Sequence, residues 1–303
     1  MSAAIEQHFA VAIAGTGLTP PDTVYADGLL HRFSPSGKRS DQSGWYVLHL
    51  DGVAAGVFGC WKAGLTSTWC SKADNDLTDA ERSSHRERIK AMQAQRAADE
   101  QQRQRAAADN AGSRWLAADT HCQHPYLTRK GVAAYGIRQD GDTLLVPLRD
   151  TAGVLHSLQT IDPDGNKRFR GRMKGCYHAI GRPQGVLIVA EGYATAASIH
   201  AATGHAVACA FNAGNLAPVA AALRAKYPGL LLVLAADDDH LTEGNPGLSA
   251  ATAAALAVGG YVVKPQFSAT RPDGATDFND LHRLGGLAAV RACFAELWEN
   301  LPC

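Results

Sequence analysis

The sequence predicts an α/β protein whose second half is a central parallel sheet flanked by helices, and three observations support this. From Gly185 onward, apolar strand-like runs alternate with alanine-rich helical segments, the pattern of βαβ units with right-handed crossovers. The runs "GVLIVA" and "GLLLVLAA" are apolar at nearly every position, as strands covered on both faces should be. Acidic residues stand just past the carboxyl ends of these runs, the edge at which open parallel sheets bind ligands.

The elements follow in order. Residues 1–73 are expected to form a small β-rich region, because "GWYVLHLDGVAAGVFGCWKAG" alternates aromatic and aliphatic residues around Asp51-Gly52, a hairpin signal, and "LTSTWC" follows as a further strand. Residues 74–114 are expected to be a long charged helical connector. No glycine or proline lies between Gly64 and Gly112, and the stretch is rich in Ala, Glu, Gln and Arg. Its few apolar residues, chiefly Ile89 and Met92, predict a mostly solvated helix, either a plain charged face or an arm turned toward nucleic acid.

Residues 115–184 are expected to form a separate segment containing a second hairpin, in which "TLLVPLR" and "VLHSLQTI" flank a turn at Thr151 to Gly153. Residues 185–303 carry strands at 186–190, 205–211, 229–236 and 260–267. Helices are expected at 194–203, 215–226, 247–258 and 286–299.

Composition narrows the function classes. The 303-residue chain carries 29 basic and 29 acidic residues, so attraction to polyanions must come from local patches rather than a global field. No apolar run reaches the ~18 residues of a membrane span, and the N-terminus lacks the charged start and apolar core of a secretory signal. A soluble cytoplasmic protein with no membrane partner is expected. The seven cysteines are scattered and never form C-x-x-C, which predicts reduced thiols.

The acids form three groups: Glu191 after the first strand, Asp237, Asp238 and Asp239 after the third, and Asp277 and Asp280 in "GATDFNDLH". Each alone could be a helix-capping residue. Together they would converge and repel unless a divalent cation neutralised them, and an all-oxygen donor set selects Mg²⁺ or Mn²⁺. Alternation along an extended segment lets Asp237 and Asp239 share an ion while Asp238 faces elsewhere.

At these residues the chain resembles a family. "VLIVAEGYATA", "VLAADDD" and "TDFND" are similar to the glutamate, Asp-x-Asp and downstream acidic motifs of the toprim domain. Bacterial-type primases, topoisomerases and some nucleases share that domain. Upstream, "HPYLTRKGVAAYGIR" through "CYHAIG" resembles the basic subdomain of primases, which implies a basic α+β subdomain over residues 115–184. "EGYATA", "FNAGNL" and "DFNDL" are similar to primases of conjugative plasmids, integrative elements and satellite phages.

The resemblance spans about residues 115–300. It implies that Glu191 is a general acid/base or metal ligand, that Asp237 and Asp239 bind metal and that Asp277 adds a further ligand. Thr195 and Asn279 stand where cellular primases often place aspartates, which implies fewer metal ions here.

Lys167, Arg168, Arg170, Arg172, Lys174 and Arg182 follow one another without an acid. The strip suits nucleic-acid or triphosphate phosphates, or is simply a solvated loop. Phe169 and Tyr177 offer stacking faces. The resemblance points first to Lys167, Arg168 and Lys174. "HCQH" at 121–124 has no second cysteine pair at finger spacing, so zinc is not expected, and no G-x-x-x-x-G-K-[ST] loop is present.

The expected function is primase-like: a Mg²⁺-dependent nucleotidyltransferase making short RNA on single-stranded DNA from ribonucleoside triphosphates, working with a separate replicative helicase. The alternatives are a toprim nuclease and a non-catalytic single-strand-binding accessory protein of a mobile element.

Overall fold

The computed structural model describes residues 2–39, 41–50, 52–72 and 78–299. Contacts divide the chain into two units, residues 1–99 and 100–303.

In the first unit, α1 (Ser2–Gly15) accompanies an antiparallel sheet in the order β1 (His31–Phe33), β2 (Gly44–His49), β3 (Ala55–Cys60), β4 (Leu65–Cys70). The predicted hairpin is β2–β3, although Asp51 of its turn lies outside the described residues. Helix α1 was not legible as such. Its Phe9 and Ile13, one helical turn apart, are buried against Phe33, Tyr46, Leu48 and Phe58. Close approach is secured at Gly56, where an added Cβ would lie 2.6 Å from the Phe9 ring.

The long helix α2 (Asp79–Ala117) forms as its composition predicts, and the boundary between units falls inside it. The side chain of Met92 lies outside the described residues. The second half of α2 is more than a solvated connector, because Ala111 pairs with Ala118 against Leu145 and Leu158.

The second unit begins with this half of α2 and α3 (Pro125–Lys130). A four-stranded antiparallel sheet follows: β5 (Arg138–Asp140), β6 (Thr143–Arg149), β7 (Leu155–Ile161) and β8 (Lys167–Gly171). Strand alternation gives this sheet two unlike faces. Leu144, Val146, Leu148 and Ile161 enter the main core, whereas Leu145 and Leu158 face α2.

The βα-repeating region contains β9 (His178–Ile180), β10 (Val186–Ala190), α4 (Tyr193–Thr203), β11 (Ala206–Cys209) and α5 (Ala213–Lys226). It continues with β12 (Leu231–Ala235), α6 (Pro246–Val258), β13 (Tyr261–Val263) and α7 (Phe278–Glu299). Its sheet runs β13-β12-β10-β11-β9, parallel except for β9. Both faces are covered. Ile188, Ala190, Val233 and Ala235 pack toward α4 and α7, while Leu187, Val189, Leu232 and Leu234 pack toward α5 and α6. The uninterrupted apolar runs are therefore the consequence of two cores meeting at one sheet.

Three details differ from the sequence expectation. Strand β9 is the antiparallel edge of this sheet although it precedes residue 185, so the expected boundary at 184/185 cuts through one sheet. Strand β13 stops at Val263, two residues before a proline that has no amide to donate. The last helix begins at Phe278 rather than 286, and Gly286 (φ 73°, ψ 178°) marks a break inside it.

Candidate functional site

The order β13-β12-β10-β11 makes a topological switch point between β10 and β12, because the crossover leaving β10 runs to β11 and the one leaving β12 runs the opposite way to β13. Ala190 pairs with Ala235 at the carboxyl ends. Glu191 and Asp237 follow one and two residues later, on strands spaced about 4.8 Å apart. The sheet thus brings two of the predicted acids to one crevice. Asp277, at the start of α7, and Asp239, in the loop before α6, both raise the Glu191 and Asp237 carboxyls by their charge.

Each acid is held differently. Glu191 accepts from the Ala213 amide at the start of α5. Its carboxyl is raised above the usual range by burial first and Asp239 second, against the pull of Lys167. Asp239 Oδ2 accepts from the Gly247 amide at 3.0 Å, in the first turn of α6. Asp277 Oδ1 accepts from the Asp280 amide at 2.8 Å, while the Asp280 carboxylate returns to the Thr276 amide at 3.0 Å, a reciprocal helix cap. Helix capping and convergence therefore coexist in the same residues.

Asp237 is the exception. Its Oδ1 is buried without a hydrogen-bond partner. Burial, then Asp277, Glu191, Asp239 and Asp280, push its carboxyl up to about 8. A buried carboxylate oxygen ringed by acids is stabilised by a cation or a proton, and the donor set is entirely oxygen, so the residues fit a hard divalent ion. Among the described residues no three His, Cys, Asp or Glu side chains stand at mutual ligating distance.

Thr195 donates its hydroxyl to Asp277 Oδ2 at 3.0 Å. Where an acid would add charge, the threonine orients one. Asn279 lies fully buried, donating to Lys130 O at 2.7 Å and Ser198 Oγ at 3.0 Å, so it faces the core rather than the crevice. Asp238 turns away as alternation predicts and binds Arg271 at 2.7 Å and Asn245 at 2.8 Å, tying the β12–α6 loop to the segment leading to Asp277.

The sequence reading missed Gly247, Lys130 and Asn215. An alanine Cβ at Gly247 would lie 2.8 Å from Asp237 O and 2.9 Å from Asp239 Oδ2. Lys130 lowers the Asp277 carboxyl, opposing burial and Asp280. Asn215, buried in "FNAGNL", accepts from the Gly175 amide and donates to Met173 O, Cys176 O and Ala210 O, clamping the segment after β8. A lone Gly or Asn at a strand-to-helix turn carries no sequence signal beyond the turn itself.

The basic strip is divided. Lys167 and Phe169 share the side of β8 facing the crevice: Lys167 acts on Glu191, and Phe169 meets Phe211 edge-on at 5.8 Å. Phe211 holds a left-handed φ of 74°, an unusual state for a bulky residue. Arg168 and Arg170 pair with Thr160 and Leu158 and point to the opposite side. Arg172 and Lys174 are exposed in the following loop, where Arg172 Nε donates to Lys174 O at 3.4 Å. Tyr177 is buried and offers no open stacking face.

In "HCQH", His124 caps α3 by accepting from the Tyr126 amide, and its other nitrogen bonds Asp142 O at 2.9 Å. Cys122 Sγ points to Ile137 O at 3.8 Å. No helix among the described residues is long and apolar enough to cross a membrane.

Residues 186–288 match the toprim domain family. Two proteins named DNA primase TraC from Escherichia coli are 36% and 37% identical to this chain over 283 and 284 residues. The alignments cover 87% and 86% of the chain but 26% and 20% of those proteins, so the chain spans about a quarter or less of their length. Among solved structures, the primase fragment of the bacteriophage T7 primase-helicase aligns with 55% of this chain and 72% of its own, at 19% identity and TM-score 0.42. A DnaG primase catalytic domain bound to single-stranded DNA aligns with 66% of this chain and 80% of its own, at 12% identity and TM-score 0.43. The fold rests on the strand order described above.

Proposed function

We propose, from the premise that this chain carries a toprim domain and matches part of the TraC primases, that it is a primase-type nucleotidyltransferase. It would join ribonucleoside triphosphates into short RNA on single-stranded DNA. The observation that carries this reading is the buried, unpartnered Asp237 Oδ1 amid Glu191, Asp239 and Asp277 at the switch point.

In this reading Asp237 and Asp239 hold Mg²⁺, with Asp277 as a further ligand oriented by Thr195. The ion would neutralise phosphate charge and activate the attacking hydroxyl. Glu191, its carboxyl raised by burial, is suited to accept the 3′-hydroxyl proton as the new P–O bond forms and pyrophosphate departs. Lys167, beside Glu191, offsets triphosphate charge, and Arg168, Arg170, Arg172 and Lys174 contact nucleic acid. A separate replicative helicase is the expected partner.

The test is incubation of the full chain with single-stranded templates, labelled ribonucleotides and Mg²⁺, beside Asp237→Asn and Glu191→Gln. RNA products abolished in both variants are expected. Shortened template without RNA would identify a nuclease instead, and template binding without either reaction would identify an accessory protein.

A further inference from the structure

The two faces of β8 assign different tasks to residues adjacent in sequence. Its register places Arg168 beside Thr160 and Arg170 beside Leu158, on the side covered by the second half of α2. The helix does not close against the whole sheet there. A cavity of about 570 Å³ remains, lined from α2 by Asn110 and Arg114 and from the sheet by Thr143, Thr160, Arg168 and Arg170. The helix contributes small residues, Ala106, Ala107 and Ala111, so its backbone stays close without filling the space.

The charge of this groove is positive. Arg168 and Arg170 are exposed and have no ion pair among the described residues. Arg114 shares its charge with Asp140 at 2.6 Å. The acid in the lining is Asp162, whose carboxylate is occupied by the Asn166 amide at 2.8 Å and side chain at 2.9 Å. Two residues along a strand separate Arg168 from Arg170 by about 6.8 Å, comparable to successive phosphates of an extended single strand. Hydroxyl and amide side chains between the arginines supply neutral donors.

We propose that this groove between α2 and β8 is a second track for the phosphate backbone of single-stranded nucleic acid, separated by the sheet from the carboxylate crevice. Arg168 and Arg170 hold phosphates, and Lys167 on the other face serves the crevice. The choice of single-stranded nucleic acid rests on the proposed function, but the site itself needs neither metal nor catalysis.

Binding of a labelled oligothymidylate by the full chain, without nucleotide or divalent cation, tests it across a salt series. Arg168→Gln with Arg170→Gln should flatten the slope of log affinity against log salt by about 1.4, and Lys167→Gln by no more than about 0.7, at ~0.7 per single-strand phosphate contact. Asn110→Glu, at an exposed helical position suited to glutamate, should weaken binding by placing a carboxylate in the groove while preserving the fold, checked by circular dichroism. Unchanged slope in the double arginine variant, or unchanged affinity in Asn110→Glu, overturns the track. So does inorganic tripolyphosphate binding as tightly as the oligonucleotide, which would make the groove a site for a compact polyphosphate. Loss of RNA synthesis in the carboxylate variants leaves this result untouched, so the two readings fail separately.

Discussion

Gly247→Ala should separate the geometry of the carboxylate site from the stability of the fold. Gly247 sits in the first turn of α6, and its backbone requires no left-handed conformation. On helix propensity alone alanine would gain up to ~1 kcal/mol. Its Cβ, however, would stand 2.8 Å from Asp237 O, 2.9 Å from Asp239 Oδ2 and 3.0 Å from Asp237 Cβ. Non-bonded carbon contacts settle near ~3.5 Å or more, so Asp237 and Asp239 must retreat by roughly half an ångström. A misplacement of that order costs about ten- to a hundredfold in rate where ligands must be held in register. The expected outcome is an unfolding free energy from urea titration within ~1 kcal/mol of the parent, with Mg²⁺ affinity by calorimetry and RNA synthesis both reduced at least tenfold. Gly192→Ala is the control, because its added Cβ would meet only Thr195 Oγ1, at 3.4 Å. Parental Mg²⁺ affinity in Gly247→Ala would refute the link between this glycine and a shared ion on Asp237 and Asp239.

Thr195→Val removes the hydroxyl bonded to Asp277 while keeping its volume. Loss of a hydrogen bond to a charged group, about 1.5–3 kcal/mol, should appear as weaker Mg²⁺ binding by calorimetry that Thr195→Ser restores. His178 is buried, donates to Tyr135 O at 2.8 Å and is lowered by burial to about 4. Because the unfolded imidazole takes up its proton near pH ~6.5, stability is complete above that pH and falls by about 3 kcal/mol toward pH ~4. Urea denaturation of His178→Gln should show a correspondingly shallower acid slope. Asn215→Leu leaves the Met173, Cys176 and Ala210 carbonyls without this donor, and loss of such a buried network should cost about 3–5 kcal/mol in urea unfolding.

Much of the second unit was legible because its signals are local. Runs apolar at every position predict strands with two covered faces, and β10 and β12 divide their side chains between two cores. The convergence of Glu191 and Asp237 followed from strand ends alone, once the sheet was taken as parallel. Helix α1 was less visible because its signal is only two buried residues, Phe9 and Ile13, in an alanine-rich stretch. Strand β9 is three residues long, and nothing within "HAI" states which sheet it joins.

Residue order alone specifies the inventory of this protein: a βα-repeating half, acids at its strand ends, and a cationic run just before it. Those properties reside in residue order and in the two-residue period of a strand. What those residues meet depends on the packing of distant elements. That packing turned Arg168 and Arg170 toward α2 and Lys167 toward Glu191, made Thr195 the partner of Asp277, and left one Asp237 oxygen unpartnered. A strand's alternation separates its two faces, but what each face meets depends on elements far away in the chain.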